Sequence, residues 1–455
     1  MFGRIYFRVL WIGCFLSMTL LLSAQSKLDS LHHLNEVVVT ARINKEVIPV
    51  QFLSGDKLEK LAAHSVADAI RYFSGVQIKD YGGIGGLKTV NIRSMGTNHV
   101  GVFYDGIELG NAQNGVVDLG RFSLDNMEAV TLYNGQKSAI FQSAKDFGSA
   151  GSIYLQSRIP VFQENRAYHV KATFKTGSFG VVNPSLLWEQ KLSENVSTSL
   201  STEYMYTTGK YKFTYAVDGG YDTTAVRRNG DVNALRAEGG LYGKIKSGYW
   251  RTKAYFYNSE RGYPGAVVRN RFSHEDRQWD TNFFFQSSFK KDFGDVYSLL
   301  LNAKYAYDYL HYLADPQKEE ATMYVNNTYR QQEVYLSMAN RVTLFPFWDI
   351  NISADYQWNK LNANLTDFPY PRRNTALVAA ATSLHLERFK LQASVLGTFV
   401  NENVASDTTS AGNKMEFTPT VITSYKPFKN IDLNLRAFYK RIFRMPTLND
   451  LYYTF

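Results

Sequence analysis

Polar and apolar residues alternate with a period of two over most of the chain after Pro160. In the stretch 196–206, for example, Leu200 and Tyr204 fall on one face and Ser201 and Glu203 on the other. The alternation recurs in the stretches 250–256, 297–308 and 350–358. Segments of roughly ten residues that face lipid with one side and a polar interior with the other are typical of transmembrane β-barrels. The pattern therefore predicts an antiparallel transmembrane β-barrel over residues 159–455.

The predicted connections alternate in length. Short turns are expected at 193–195, 247–248, 291–295, 345–347, 387–389 and 427–430, and longer links at 207–233, 258–276, 310–330, 359–374 and 401–413. Outer-membrane barrels keep short turns on the periplasmic side and long loops outside. A soluble all-β sandwich is the alternative, but its strands rarely place aromatic residues opposite a charged face. About thirteen strands are predicted, the last at residues 431–439.

Composition agrees with a barrel. The chain has 31 Tyr and 30 Phe, yet its mean hydropathy is only −0.28. Because no apolar run after the N-terminal segment is long enough to cross a bilayer as a helix, the sequence excludes a helical membrane protein. The net charge of +9 is spread along the chain, which favours a solvated surface over nucleic-acid binding.

Residues 47–158 follow a different pattern and predict a compact α+β domain. Short helices are expected at 56–61 and after Ser65, which would act as an N-cap. Strands are predicted around 76–78, 90–93, 100–104, 130–133 and 148–155. Asp105-Gly106 is a strong signal for a tight hairpin turn between two strands. The predicted fold is thus mainly β, with an N-terminal α+β domain before the barrel.

The first 24 residues predict a cleaved signal peptide. Arg4 and Arg8 precede the apolar run 9–22, and Ser23-Ala24 offers a cleavage point. A transmembrane anchor is the alternative, but the run falls short of the roughly 20 residues that span a bilayer. Cys14 is the only cysteine, so the mature chain would have no disulfide. Residues 25–46 would form a polar tail.

Within this tail, Val37-Val38-Val39 predicts an exposed strand, and no later strand pattern is close enough to pair with it. Such a segment is suited to strand addition by another protein. This segment is followed by six motifs, at 67–71, 74–76, 91–93, 102–106, 127–135 and 148–153. In these motifs and their order, the chain resembles the TonB-dependent outer-membrane receptors, and in style the cobalamin and siderophore receptors. The resemblance implies a plug domain at 47–158 inside a barrel of about 22 strands. The chain would then be a fragment, because the motif at 444–452 resembles an internal one.

The resemblance also implies a function and its residues. The receptor would bind a ferric siderophore or cobalamin outside the cell and import it with energy from the inner-membrane TonB complex. TonB would bind the TonB box, which comprises Glu36, Val37, Val38, Val39, Thr40 and Ala41. Ligand contacts are expected at Tyr81, Leu87, Thr89, Asn98, Gln113 and Asn114. Residues expected to hold the plug structure are Arg93, Asp105, Gly106 and Gly135.

Further expectations concern partners and chemistry. Loop aromatics could extend the ligand surface, namely Tyr211, Phe213, Tyr215, Tyr221 and Tyr263. The protein is expected to be a monomer in outer-membrane lipid, without cofactor, metal or nucleic acid. His32-His33 would be a solvated pair rather than a metal site, and no enzymatic motif is found. The alternative function is a non-transporting barrel that serves as an adhesion or binding surface.

Overall fold

A computed structural model describes residues 40–41, 47, 50–61, 63–81, 83–163, 166–217, 221–265, 275–314, 324–405, 410–431 and 433–452. The predicted signal peptide and Glu36, Val37, Val38 and Val39 lie outside the described residues. Among the described residues, no helix has the length and apolar character to cross a membrane.

The N-terminal domain contains a six-stranded sheet with two short helices at its side. The domain has eight described strands, six in this sheet and two in a separate hairpin. They are β1 (Thr40–Ala41), β2 (Val50–Ser54), β3 (Val76–Asp80), β4 (Lys88–Ile92), β5 (Val100–Tyr104), β6 (Ile107–Glu108), β7 (Met127–Tyr133) and β8 (Gly151–Ser157). The sheet order is β1-β2-β7-β8-β5-β6, and β3 and β4 form a separate hairpin. The helices are α1 (Asp56–Lys60) and α2 (Val66–Ile70).

The end of the predicted TonB box is paired, contrary to the expectation that no later strand could reach it. Thr40 is opposite Phe52 and Ala41 is opposite Gln51, so β1 is an antiparallel edge strand on β2. The sequence did not reveal this partner because β2 is only five residues long. A second difference from the prediction concerns Ser65. It stands at the N-cap of α2, but its hydroxyl donates a hydrogen bond to the side chain of Asp68 (2.9 Å) and makes none with the backbone of the helix.

The second part of the chain is a 13-stranded antiparallel sheet, which we call the wall. Its strands are β9 (Tyr168–Gly177), β10 (Val181–Lys191), β11 (Val196–Thr207), β14 (Val232–Ile245), β15 (Gly248–Tyr263), β16 (Asp276–Phe293), β17 (Tyr297–Ala314), β18 (Val325–Phe345), β19 (Trp348–Ala363), β20 (Arg372–His385), β21 (Phe389–Asn403), β22 (Lys414–Tyr425) and β23 (Leu435–Lys440). Neighbours in sequence are neighbours in the sheet, except that a separate hairpin, β12 (Tyr211–Val217) and β13 (Tyr221–Arg227), lies between β11 and β14. A short helix, α3 (Leu448–Tyr452), ends the described chain.

The predicted alternation of faces is confirmed. Leu336 and Ile352 are exposed on the outer face of the wall, whereas Asn351 and Ser353 are buried on its inner face. These polar residues are buried because the N-terminal domain packs against the inner face. A mainly β fold with an N-terminal domain and an antiparallel wall was therefore predicted correctly, and the wall is an open sheet with β9 and β23 as its edges.

Most strands of the wall are longer than the predicted ten residues. The connection predicted at 310–330, for example, is largely strand, because β17 continues to Ala314 and β18 begins at Val325. Around His311 and Asn326 polar and apolar residues no longer alternate regularly, so the period-two signal disappears although the ladder continues.

Candidate functional site

Two loops of the N-terminal domain reach the same end of the wall as the longer connections. In the first loop, 81–87, the carbonyl of Gly85 accepts a hydrogen bond from Arg261 (2.8 Å), near the end of β15. A Cβ added at Gly85 would lie 1.8 Å from Cγ2 of Val232, so only glycine fits this close approach. In the second loop, 110–115, the N–H of Gln113 donates to Oε1 of Gln331 in β18 (2.8 Å).

The predicted ligand residues divide between these loops and the interior. Tyr81 is 52% exposed at the start of the first loop, and Leu87 is half-buried at its end. Thr89 belongs to β4 and is only 3% exposed, so it is less accessible than a loop residue would be. Asn98 is exposed in the turn Thr97–His99. Their role in ligand binding stays a prediction.

Gln113 and Asn114 lie in a loop that is held in place from several sides. The side-chain oxygen of Asn111 accepts hydrogen bonds from the N–H groups of Gln113 (3.0 Å) and Asn114 (3.1 Å). The N–H of Leu448 donates to the carbonyl of Ala112 (2.8 Å), which docks α3 on the loop. The second loop is thus a fixed surface with Gln113 buried and Asn114 half-buried.

Next to the first loop, the N-terminal domain is joined to the wall by buried ion pairs. Asp118 lies 3.3 Å from Arg261 and 3.5 Å from Arg121, and Arg261 also contacts Asp280 (2.7 Å). Burial alone would raise the pKa of Asp118, but both guanidinium groups and the N–H groups of Lys88 and Gly120 hold it below its usual range. This carboxylate therefore stays charged and ties the domain to β15.

A second buried cluster surrounds Asp105, one of the residues expected to hold the plug structure. Its carboxylate accepts hydrogen bonds from the N–H (2.9 Å) and hydroxyl (2.7 Å) of Ser157 and contacts Lys253 of the wall (3.0 Å). Burial would raise the pKa of Asp105, but Lys253, Arg251 and the Ser157 donors hold it below its usual range. Asp105 thus links β5, β8 and β15.

The other residues expected to hold the structure act through their backbone. Gly106 (φ 87°) and Asp105 (φ 51°) form the left-handed turn between β5 and β6. Gly135 also has a positive φ, of 127°. Arg93 is exposed and has φ 50°, and its N–H donates to the carbonyl of Gly75 (2.9 Å).

A cavity lies between the second loop and the wall. The N-terminal domain contributes Asn98, Asn111 and Lys145, and the wall contributes residues of β19, β20 and β21 that include Asn359 and Arg373. The segment 442–447 also lines it, with Arg444. Sequence reasoning missed these wall residues, because their approach depends on the register of three strands. Among the described residues, no cluster of acidic, histidine and cysteine side chains is suited to a metal.

Aromatic residues form a ladder on the hairpin of β12 and β13. Tyr211, Phe213 and Tyr215 follow one another on one face with ring centroids 6.3 and 5.7 Å apart. Phe179 meets Tyr211 at 5.6 Å. Tyr263, also expected at the ligand surface, donates its hydroxyl to Gln278 (2.9 Å), and the side chain of Tyr221 lies outside the described residues.

The N-terminal domain matches a known family model, and the whole chain is similar in fold to solved structures. The model of the TonB-dependent receptor plug domain matches residues 43–148. Among similar solved structures are the FrpB iron transporter (F3-3 variant) from Neisseria meningitidis (12% identity, TM-score 0.70, covering 88% of this chain and 65% of that one) and the copper transporter OprC (12% identity, TM-score 0.65, 87% and 63%). The siderophore receptor PiuA from Acinetobacter baumannii is similar at 12% identity (TM-score 0.59, 86% and 65%). The chain therefore spans slightly less than two thirds of the length of these proteins, with which it shares the fold.

Proposed function

We propose that this chain functions as an energised outer-membrane importer, because it carries the plug domain and has the fold of the TonB-dependent receptors. It binds a scarce extracellular nutrient, a ferric siderophore or cobalamin, and releases it into the periplasm with energy from the inner-membrane TonB complex. The observation that carries the proposal is the matched plug domain packed against the inner face of the wall. Solved proteins of this fold are described as iron and copper transporters and as a siderophore receptor.

The packing of the plug supports transport rather than a passive pore. Tyr104 of β5 donates its hydroxyl to Glu238 of β14 (2.6 Å), and Gln286 of β16 donates to the carbonyl of Tyr104 (3.0 Å). On another part of the wall, Asp355 of β19 accepts the N–H groups of Ala144 (3.1 Å) and Lys145 (2.7 Å). A domain held at so many points does not leave the wall by itself, so its displacement requires an input of energy.

The position of β1 supports coupling through the TonB box. The last two box residues form the edge strand of the plug sheet, with one side paired to β2. A partner strand can add to the free edge, because recognition of this kind uses mainly backbone hydrogen bonds. We infer that TonB binds Glu36 to Ala41 in this way and that tension on the box is transmitted directly to β2.

The test uses a proline substitution within the box. In Val38→Pro, the new residue lacks an N–H group and blocks strand pairing, whereas Val38→Thr keeps a β-branched residue. Cells are supplied with radiolabelled ferric siderophores and cobalamin, and binding in the presence of a protonophore is compared with energised uptake. Val38→Pro should abolish uptake of the bound ligand and leave binding unchanged, and Val38→Thr should retain both.

A deletion of Glu36 to Ala41 should behave like Val38→Pro, and a deletion of six tail residues at 27–32 serves as its control. If uptake persists without the box, the energised-import function is wrong. Binding without uptake in the unmodified protein would favour the alternative of an adhesion or binding surface.

A further inference from the structure

The cavity beside the second loop contains buried donors without partners. Asn359 and Arg373 are neighbours across β19 and β20, and Arg373 is opposite Glu402 across β20 and β21. This register brings their side chains into one row on the inner face of the wall, where Asn359 is 2% and Arg373 is 6% exposed. The segment after β23 brings Arg444 to the same cavity.

Three buried polar atoms of the described cavity-lining side chains have no hydrogen-bond partner, and all three are nitrogens. They are Nδ2 of Asn359, Nη2 of Arg373 and Nη2 of Arg444. Arg373 uses only its Nε for Glu402 (2.5 Å), and Arg444 lies 3.8 Å from Asp450, beyond hydrogen-bond distance. Buried donors in folded proteins nearly always have an acceptor, so the three atoms indicate a site for a molecule that supplies acceptors.

The charges around the cavity favour an anionic acceptor. Burial and the nearby charge of Arg373 lower the pKa of Arg444, against the opposing effect of Asp450. An anion between the two guanidinium groups would remove this repulsion, and charge-assisted hydrogen bonds from arginine are strongest with oxyanions. Lys145 contributes another cation, although it is already 3.3 Å from Glu108.

The remaining lining contains polar side chains, among them Glu108 and Gln357, and an apolar part. Leu377, Leu396 and Val400 lie on the wall side, and Phe443 and Met445 lie on the segment after β23. An apolar surface next to a few convergent polar groups is the usual composition of a small-molecule site.

We propose that this cavity binds the oxyanion group, a carboxylate or a phosphate, of a ligand with an apolar body. Asn359, Arg373 and Arg444 donate hydrogen bonds to the oxyanion, and Leu377, Leu396 and Phe443 contact the apolar part. The inference rests on the proposed function and deepens it, because it assigns a chemical class to the imported ligand and adds residues of the wall to the predicted loop contacts.

Binding is measured by isothermal titration calorimetry on the full chain purified in detergent. The probes are benzoate, phenyl phosphate and the uncharged benzamide, which has nearly the shape of benzoate. We expect at least one of the two anions to bind with a Kd below about 1 mM and benzamide to show no binding. The preferred anion distinguishes a carboxylate site from a phosphate site.

Variants assign the binding to the cavity. Asn359→Leu and Arg444→Gln should each weaken binding of the anion roughly tenfold. Arg372→Gln is the matched control, because it removes the same charge on β20 from an exposed, outward-facing residue. Arg373 is changed together with Glu402, as R373Q/E402Q, because the single change would leave a buried carboxylate unpaired; the double variant should also lose binding.

Three results would each overturn the proposal. They are failure of both anions to bind with a Kd below about 1 mM, equal binding of benzamide and benzoate, and equal weakening by Arg372→Gln and Asn359→Leu. Because the measurement needs no TonB, Val38→Pro should bind the anion normally. The cavity proposal can thus fail while energised import stands, and the reverse also holds.

Discussion

Asp146 is a buried carboxyl group of the plug whose pKa is raised. It is 3% exposed, accepts a hydrogen bond from the hydroxyl of Tyr154 (2.6 Å) and another from Ser143. Burial raises its pKa to about 6, although Lys137 and the two hydrogen bonds act in the opposite direction. Because the folded pKa is above the unfolded one, Asp146 contributes stability that is fully present below pH 3.8 and is lost as the pH rises through about 6.

Asp146→Asn should therefore change how plug stability depends on pH. A shift of about two units corresponds to about 3 kcal/mol between the two extremes of pH. Relative to Asp146→Asn, the unmodified plug should lose up to this amount between pH 4 and pH 8. Hydrogen exchange of peptides that cover β8, followed by mass spectrometry over this range, measures the difference.

Asp68 supplies a control of opposite sign. Burial acts to raise its pKa, but Lys88 at 3.2 Å, the Ser65 hydroxyl and Arg71 hold the pKa below its usual range. Its contribution to stability is present above the unfolded pKa and is lost as the pH falls. Asp68→Asn should thus cost stability at pH 7 and cost less in acid. Parallel pH profiles for Asp146→Asn and the unmodified protein would show that Asp146 titrates normally.

At the scale of elements, the turn between β5 and β6 is the clearest case of local sequence that determines structure. Asp105 and Gly106 both have positive φ, as a two-residue hairpin turn requires. Gly106→Ala places a Cβ 3.5 Å from Nη2 of Arg251, so the expected cost is conformational strain of about 1 kcal/mol rather than a clash.

Gly239→Ala is the matched control, because an added Cβ in β14 meets nothing within 4 Å. Hydrogen exchange of peptides from β5 and β6 should speed up about fivefold in Gly106→Ala, as expected for about 1 kcal/mol, and stay unchanged in Gly239→Ala. Equal protection in both variants would mean that the turn does not need glycine.

The sequence could predict elements of this kind because their signals are local. Asp105-Gly106 defines its own turn, and the outward position of Leu200 or Ile352 follows from strict alternation within one strand. The pairing of Asn359, Arg373 and Glu402 depends instead on registers across three strands. No local pattern contains this information, and the donor row was therefore not predicted. Thr89 shows the same limit, since its burial depends on what packs over β4.

At the scale of the whole molecule, the plug is attached differently to different parts of the wall. Buried ion pairs join it to β15, where Lys253 contacts Asp105 and Arg261 contacts Asp118. Against β20 and β21, the plug residues Ile140, Ala144 and Phe147 make apolar contacts, and Val47 packs on Ile422 of β22. Within the described chain, no ion pair joins the plug to these three strands. The first movement away from β15 would leave buried charges unpaired, at a cost of about 3–5 kcal/mol each, so the side near β20–β22 should yield first.

The strand order of the plug sheet also predicts which part of the plug is released first. Because β1 and β2 are at one edge and β5 and β6 are at the other, tension on the proposed TonB box should remove β1, then β2, while Asp105 stays bound to Lys253. Pulling on a handle at residue 36 with an optical trap, with the protein in a lipid bilayer, measures this order.

Two engineered disulfides make the prediction quantitative, since Cys14 is the only natural cysteine. In Gly85→Cys/Val232→Cys, a Cβ built at position 85 lies 3.2 Å from that of Val232, close to the separation in a disulfide. This lock should leave the chain from Thr40 to Gly85 free and limit its extension to roughly 160 Å. In Val47→Cys/Ile422→Cys, the limit should fall to roughly 25 Å, and reduction should remove both limits. If the lock at position 47 left the first extension unchanged, release would begin elsewhere, and the proposal that tension on the box first moves the edge formed by β1 and β2 would be wrong.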